Sequence, residues 1–259
     1  MLRERSTKGG VVLRSVTPFT LLADQVGAIR SQMPGLRDGR VDAVHDARVA
    51  TRRIRQLLPL VGGGRPGDRA DDLRVRFRRL GRSLGRVRDA DVRLALLTLL
   101  ETRVPHAAAA LVVLRQDRER ERQKLMRKLI KRVERLDVDR LLRSLADDVA
   151  CGLRAWPWEA RSRVPWRRRL RGTLAERAQT AADAIVHATG IYFPRRLHDV
   201  RIAAKKLRYA VEIADAVQVA DSSATIRDLK KAQDLLGEMH DRQDPVSYTH
   251  LTLPTIYSV

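Results

Sequence analysis

An internal repeat constrains the fold more than any other feature of the chain. Residues 44–55 read VHDARVATRRIR and residues 197–208 read LHDVRIAAKKLR, so each His, Asp and cation holds the same place in both segments. Downstream, Leu84-Gly85 precedes Asp89 at the spacing with which Leu236-Gly237 precedes Asp241. Two ordered motifs that recur at matched spacing predict two copies of one helical unit, packed with pseudo-two-fold symmetry.

The repeated units are predicted to be helical throughout. Apolar residues recur at three- and four-residue spacing, and β-branched runs are few, which is typical of an all-α fold. Asp89 and Asp241 follow a glycine and are predicted to cap helix starts. The glycine run 62–64 is interpreted as a turn, because no Gly-Lys-Ser/Thr follows it. Predicted helices are 17–33, 41–60, 68–85, 89–103, 106–135, 138–153, 166–189, 194–219 and 222–240.

Composition changes divide the chain. Proline and tryptophan around Trp156-Pro157-Trp158 and Pro165 separate the two helical series. From Pro245 to Val259 the chain carries no charged side chain other than a protonated His250, although 32% of all residues are charged. This tail is therefore predicted to be non-native, and the second unit to be truncated. The predicted division is a flexible basic N-terminus 1–16, a first bundle 17–135, a second bundle 138–246 and the tail 247–259.

The charge balance points to an anionic partner. The chain has 52 Lys and Arg against 31 Asp and Glu, a net charge of +21 that repels itself unless acidic groups offset it. Most of these cations are Arg, whose planar fork binds phosphate oxygens in bidentate fashion. Aromatic residues are only 4% of the chain, which leaves little surface for stacking the bases of single-stranded nucleic acid.

Cysteine usage and hydropathy predict a cytoplasmic protein. Cys151 is the only cysteine, which excludes an internal disulfide and a multi-cysteine zinc site and fits a reducing compartment. The longest apolar run, Ala107 to Leu114, is too short to span a bilayer. We predict neither a signal peptide nor a membrane association.

The repeated segments place cations in rows. At 100° per residue, His45, Arg48, Arg52 and Arg55 share one helical stripe, as do His198, Arg201, Lys205 and Arg208. The adjoining arcs are apolar and predicted to be buried: Val44, Ala47, Thr51, Ile54 and Leu58 in the first copy, and Leu197, Ala204, Leu207 and Val211 in the second.

A row of cations spaced by one or two turns repels itself unless anions lie along it. A linear polyphosphate matches such a row, and two helices that face one another would line a shared basic groove. The alternative is that His45 and His198 are merely buried polar residues of a bundle, with the Arg rows exposed to solvent.

The duplicated motifs resemble the CHAD family, the conserved histidine α-helical domain, over about residues 17–246. This resemblance implies two antiparallel four-helix bundles related by pseudo-symmetry, with a basic channel or surface that binds inorganic polyphosphate. It also implies polyphosphate granules or CYTH-type triphosphate-processing proteins as associates. The family continues into further helix after Asp241, where this chain has Pro245. Motif positions give the binding residues His45, Arg48, Arg52, Arg53, Arg55, His198, Arg201, Lys205, Lys206 and Arg208.

The predicted function is non-enzymatic binding of inorganic polyphosphate, with no cofactor, metal or catalytic residue. Two alternatives remain open. A nucleic-acid-binding protein fits the charge but not the few aromatics, so nucleic acid is expected only as a weak competitor. A metal-dependent phosphohydrolase would need clustered carboxylates, whereas Asp46, Asp89, Asp199 and Asp241 lie one per motif among arginines.

Overall fold

The computed structural model describes residues 16–61, 69–143, 145, 166–189 and 194–252, and these ranges contain helices and no strand. The all-α prediction is confirmed. Residues 138–143 are also helical. The principal helices are α1 (Pro18–Arg37), α2 (Val41–Val61), α3 (Arg69–Arg103), α4 (Ala108–Arg135), α5 (Trp166–Ala188), α6 (Pro194–Ala216) and α7 (Ser223–Thr252), with a 3₁₀ turn at Pro105–Ala107 between α3 and α4.

The helices form two groups. In the first, α1 to α4 each pack on the next helix along the chain, and in the second α5 packs on α6 and α6 on α7. Helix α2 touches both α5 and α6, so it faces the second group. This arrangement is consistent with two bundles.

One long helix replaces two predicted ones. We predicted a break between residues 85 and 89, but α3 runs through Gly85 without interruption. A mid-helix glycine costs only about 1 kcal/mol, and burial on both sides of it outweighs that cost, since Leu84 and Val87 are each 0% exposed. Asp89 therefore lies on the exposed surface in the middle of α3, and the prediction that it caps a helix is wrong.

The C-terminal tail also differs from expectation. Helix α7 was predicted to end at residue 240, yet it continues through Pro245 to Thr252. Prolines inside helices occur elsewhere in this chain, at Pro34 of α1 and Pro59 of α2. The predictions for the basic N-terminus, the glycine run 62–64 and the Trp156-Pro157-Trp158 boundary fall outside the described residues, as does the side chain of Asp241.

Most of the core belongs to the first group. Leu22 and Ile29 of α1, Leu58 of α2 and Phe77 of α3 are almost fully buried together. A polar contact ties the same group together at one end: Arg122 of α4 donates to the buried Asp91 of α3 and, over 2.8 Å, to the carbonyl of Gly39. The bundle around α2 is therefore held by apolar packing and by a buried ion pair.

Within the part of the chain described here, no single helix is long and apolar enough to cross a membrane. Only α3 from Ala70 and the segment Pro105–Arg135 reach that length and composition when taken together, and they meet at 115°.

Candidate functional site

Helix α2 presents the first cationic row. Val44, Ala47, Thr51, Ile54 and Leu58 are all buried, as predicted. Because these residues anchor the adjoining face, Arg48, Arg52 and Arg55 lie half-buried at the edge of the core. His45 and Arg53, also predicted as site residues, are exposed.

Helix α6 presents the second row in the same way. Arg201, Lys205 and Arg208 are half-buried, whereas His198 and Lys206 are exposed. Of the predicted buried set, Ala204 and Val211 are buried but Leu197 and Leu207 are only half-buried. Both repeat histidines are therefore exposed, and the alternative of two buried bundle histidines is wrong.

The two rows meet at a single tyrosine. The guanidinium carbon of Arg52 lies 4.6 Å from the ring centroid of Tyr209, and that of Arg208 lies 4.8 Å from the same ring. Lys205 lies within the electrostatic reach of arginines from both helices. We refer to Arg48, Arg52, Arg201, Lys205 and Arg208 as the central cluster.

Except at Arg208, which pairs with Glu212, the central cluster carries positive charge that no described carboxylate neutralises. Burial lowers the pKa of Lys205 to about 8, and repulsion from Arg52, Arg201, Arg48 and Arg208 adds to the effect. Burial likewise lowers the pKa of Arg52, with further repulsion from Arg48 and other arginines. In the described ranges, no carboxylate pairs with Arg48, Arg52, Arg201 or Lys205. The buried Nε of Arg52 has no hydrogen-bond acceptor.

Two glycines lie beside arginines of the cationic rows. A Cβ atom at Gly85 of α3 would be 3.6 Å from Nε of Arg48, and one at Gly237 of α7 would be 3.7 Å from Nη2 of Arg201. The Leu-Gly motif thus places helix backbone directly behind the first arginine of each row. Sequence reasoning detected the motif but did not assign it this role.

Helix α5 holds the two rows side by side. Arg177 donates to the side-chain oxygen of Gln56 on α2 and, over 3.0 Å, to the backbone carbonyl of Lys206 on α6. Arg169 donates through Nε to the carbonyl of Leu60 at the end of α2, 2.9 Å away. No motif pointed to these residues, because their partners on α2 lie more than a hundred residues away along the chain.

A cavity of about 250 Å³ lies where α1, α2 and α6 meet, and its lining includes Arg52, Arg53, Gln56, Tyr209 and Glu212. Tyr209 is only 7% exposed, and its hydroxyl has no hydrogen-bond partner. On a helical wheel Arg53 lies outside the stripe that contains Arg52. Both residues nevertheless border this cavity. The predicted residues Arg52 and Arg53 therefore meet here at one opening between the two groups.

The candidate site contains no metal-ligand cluster among its described residues. Among the residues that the structure describes, no group of three or more His, Cys, Asp or Glu side chains is placed to hold a metal ion.

Comparison with known proteins agrees with the duplicated motifs. The model of the CHAD domain family matches residues 20–243, which is most of the chain. The chain belongs to the CHAD family. The crystal structure of the CHAD domain from the plant Ricinus communis superposes with a TM-score of 0.62 at 20% sequence identity. The match covers 86% of this chain and 73% of the plant chain, and at this identity it shows a shared fold alone. No curated protein matches this CHAD protein in sequence.

Proposed function

We propose that this CHAD domain binds inorganic polyphosphate in a groove between α2 and α6. The observation that carries the proposal is the convergence of two cationic rows on Tyr209 without a carboxylate partner for Arg48, Arg52, Arg201 or Lys205 in the described ranges. The proposed binding residues are His45, Arg48, Arg52, Arg53, Arg55, His198, Arg201, Lys205, Lys206 and Arg208.

Partly buried, unpaired cations favour an anion over water. Arg52 and Lys205 of the central cluster have each lost part of their hydration and are repelled by neighbouring cations. A phosphate oxygen supplies both the missing acceptor and the opposite charge, and charge-assisted bonds of this kind are about twice as strong as neutral ones. A polymer with one negative charge per phosphate would neutralise several cations at once. Affinity is therefore expected to fall steeply as salt rises, as in phosphate-backbone recognition generally.

The exposed members of the set extend the groove at its rim. His45, Arg53, His198 and Lys206 are accessible to further phosphates of a long chain. Because histidine gains charge as the pH falls towards 6, binding should strengthen there.

We further propose binding without catalysis or a cofactor, in the cytoplasm and at polyphosphate granules, with CYTH-type triphosphate-processing proteins as candidate associates. The proposed organisation is two pseudo-symmetric four-helix bundles, 17–135 and 138–246.

A filter-binding assay tests the ligand. Long-chain polyphosphate should bind the wild-type protein, and duplex DNA or RNA at equal phosphate concentration should not displace it. Displacement by nucleic acid would favour the nucleic-acid alternative. Loss of polyphosphate on incubation with Mg²⁺ or Mn²⁺, abolished by Asp89→Ala, would favour the phosphohydrolase.

A charge-matched pair of variants tests the site. Alanine at Arg48, Arg52, Arg201 and Lys205 should weaken binding at least about 100-fold, because each charge-assisted hydrogen bond contributes about 1.5–3 kcal/mol. Helicity should persist, since the substitutions remove repulsion. The control replaces four exposed cations of α4, Arg120, Arg127, Lys128 and Lys131, and removes the same charge. Equal losses in both variants would mean that binding depends on net charge and not on the groove.

A further inference from the structure

The two cationic rows end differently. Arg208, the last cation of the second row, donates through Nε to Gln233 over 3.1 Å and through Nη1 to Glu212 over 2.5 Å. Its counterpart in the repeat, Arg55, has no carboxylate partner in the described ranges, and its buried Nε lacks an acceptor. The protein therefore neutralises one end of the repeated row and leaves the other end charged.

The sequence around each end explains this difference. When Leu84-Gly85 is aligned with Leu236-Gly237, Gly81 of α3 matches Gln233 of α7, and Arg82 matches Asp234. A Cβ atom at Gly81 would lie 3.9 Å from Nη1 of Arg55, so the space that Gln233 fills beside Arg208 has no side chain beside Arg55. Where the second group has the amide of Gln233 and the carboxylate of Asp234, the first group has Gly81, which carries no side chain, and Arg82.

Further cations surround Arg55. Burial lowers its pKa first, and repulsion from Arg78, Arg74 and Arg82 of α3 lowers it further. Arg74 is paired with Asp71 at 2.8 Å, but Arg78 and Arg82 are exposed and have no carboxylate partner in the described ranges. Arg55 is therefore repelled by two cations of α3 that have no carboxylate partner in the described ranges.

We infer that Arg55, Arg78 and Arg82 form a phosphate-binding subsite, the α2–α3 subsite, that has no counterpart in the second group. The inference rests on the proposed function and deepens it. A short condensed phosphate such as tripolyphosphate fills this subsite with its own oxygens as acceptors. A long polymer is then held asymmetrically, more tightly at the α2–α3 end of the groove than at the α6–α7 end.

The test uses tripolyphosphate and matched variants in isothermal titration calorimetry. The Arg78→Gln/Arg82→Gln variant removes two cations of the α2–α3 subsite and none of the central cluster. The matched control, Lys230→Gln/Lys231→Gln, removes two exposed cations from the equivalent region of α7. The first variant should lose at least about tenfold in tripolyphosphate affinity, as expected for lost charge-assisted bonds. The control should lose less than about twofold, because Arg208 at that end of the row is already paired with Glu212.

A third variant tests the geometry with every charge retained. Gly81→Gln copies the second group by placing an amide beside Arg55, and it removes a helical glycine, so the fold should persist. Its nearest contact, Thr51 Cγ2 at 3.3 Å from the new Cβ, requires only a small shift. The affinity of Gly81→Gln for tripolyphosphate should fall about as far as that of Arg78→Gln/Arg82→Gln. Circular dichroism must show that both variants are folded. Wild-type affinity in Gly81→Gln would overturn the α2–α3 subsite.

The outcomes separate the two proposals. If wild-type protein binds long-chain polyphosphate but the Arg78→Gln/Arg82→Gln and Lys230→Gln/Lys231→Gln variants bind tripolyphosphate equally, the subsite is wrong and the groove stands. If wild-type protein binds neither tripolyphosphate nor long-chain polyphosphate, the proposed function itself fails.

Discussion

The two halves of this CHAD domain carry one motif but pack it differently. In the first half, Phe77 and Leu84 of α3 are each 0% exposed, and Leu80 is 2% exposed. At the matched positions of α7, Leu229 and Leu236 are only half-buried and Ala232 is exposed. Helix α4 covers α3 in the first half, whereas within the described ranges α7 packs chiefly on α6. The motif thus specifies the cationic face, and the neighbouring helices decide how well the opposite face is buried.

The halves also differ in how charge is used. Asp91 and Arg122 neutralise each other inside the first half, where they support the turn between α1 and α2. In the second half the acid Glu212 pairs with Arg208 of the cationic row itself. We interpret the first half as the more stable scaffold and the more strongly charged binding surface.

Truncating the same motif leucine in each half tests the packing difference most strongly. Leu84→Ala should lower the free energy of unfolding by about 4 kcal/mol, because a fully buried leucine leaves a cavity. Leu236→Ala, the same change at a half-buried site, should cost about 1 kcal/mol. Urea denaturation followed by circular dichroism measures both. Equal losses would mean that α7 is covered as completely as α3.

Breaking the buried ion pair should have the next largest effect. Asp91→Ala leaves Arg122 without its carboxylate in a partly buried position, where side-chain exposure is 19%, and should cost about 3 kcal/mol. Arg37→Ala, which breaks the exposed 2.7 Å pair with Asp139, is the control and should cost less than about 1 kcal/mol. Thermal unfolding of both variants distinguishes them, and an Asp91→Ala protein as stable as the control would contradict the role of this pair.

Polyphosphate binding should depend on pH through Lys205 of the central cluster. At the matching position of the repeat the first half has Arg52. With the pKa of free Lys205 lowered to about 8, a bound polyanion should raise it, so binding takes up a proton. Polyphosphate affinity should therefore fall about tenfold between pH 7 and 9, as Lys205 loses its charge. Lys205→Arg should remove this fall, and Arg52→Lys should steepen it. A wild-type affinity that does not change over this range would rule out Lys205 as a partner of the anion.

The same group affects stability with a defined sign. Without ligand, the pKa of Lys205 is lower in the folded protein, about 8, than the ordinary value of 10.5. The unfolded chain binds more protons between these values, so stability should rise with pH there. In Lys205→Met the free energy of unfolding should lack this rise with pH. Urea titrations of both proteins at pH 8 and pH 10 measure the difference.

The smallest expected effect concerns the two motif glycines, and it should be alike in both halves. Gly85→Ala and Gly237→Ala place a methyl group at ordinary contact distance from Arg48 and Arg201, 3.6 Å and 3.7 Å from their nearest atoms. Each should stabilise its helix by about 0.5–1 kcal/mol. Leucine at either position should instead displace the arginine and weaken polyphosphate binding. A difference between the halves in the alanine variants would show that the two arginines are held differently.

Helical class, duplication and the cationic rows could all be predicted from the sequence, because each depends on residues a few positions apart. The buried arc of α2 follows from local periodicity, and all five of its predicted residues are buried. The break predicted at Gly85 was wrong, since the local cost of glycine is smaller than the packing free energy of α3 on α2 and α4. The end predicted for α7 was wrong as well.

The sequence by itself determined which side chains form each cationic row and that the row occurs twice. Only the tertiary structure decided that both rows meet at Tyr209 and that Arg177 joins α2 to α6. It also decided that Arg55 is repelled by Arg78 and Arg82, whereas Arg208 pairs with Glu212. The physical reason is range. Helical periodicity acts within a few residues, whereas repulsion, burial and ion pairing depend on distances that only the packing of separate helices sets.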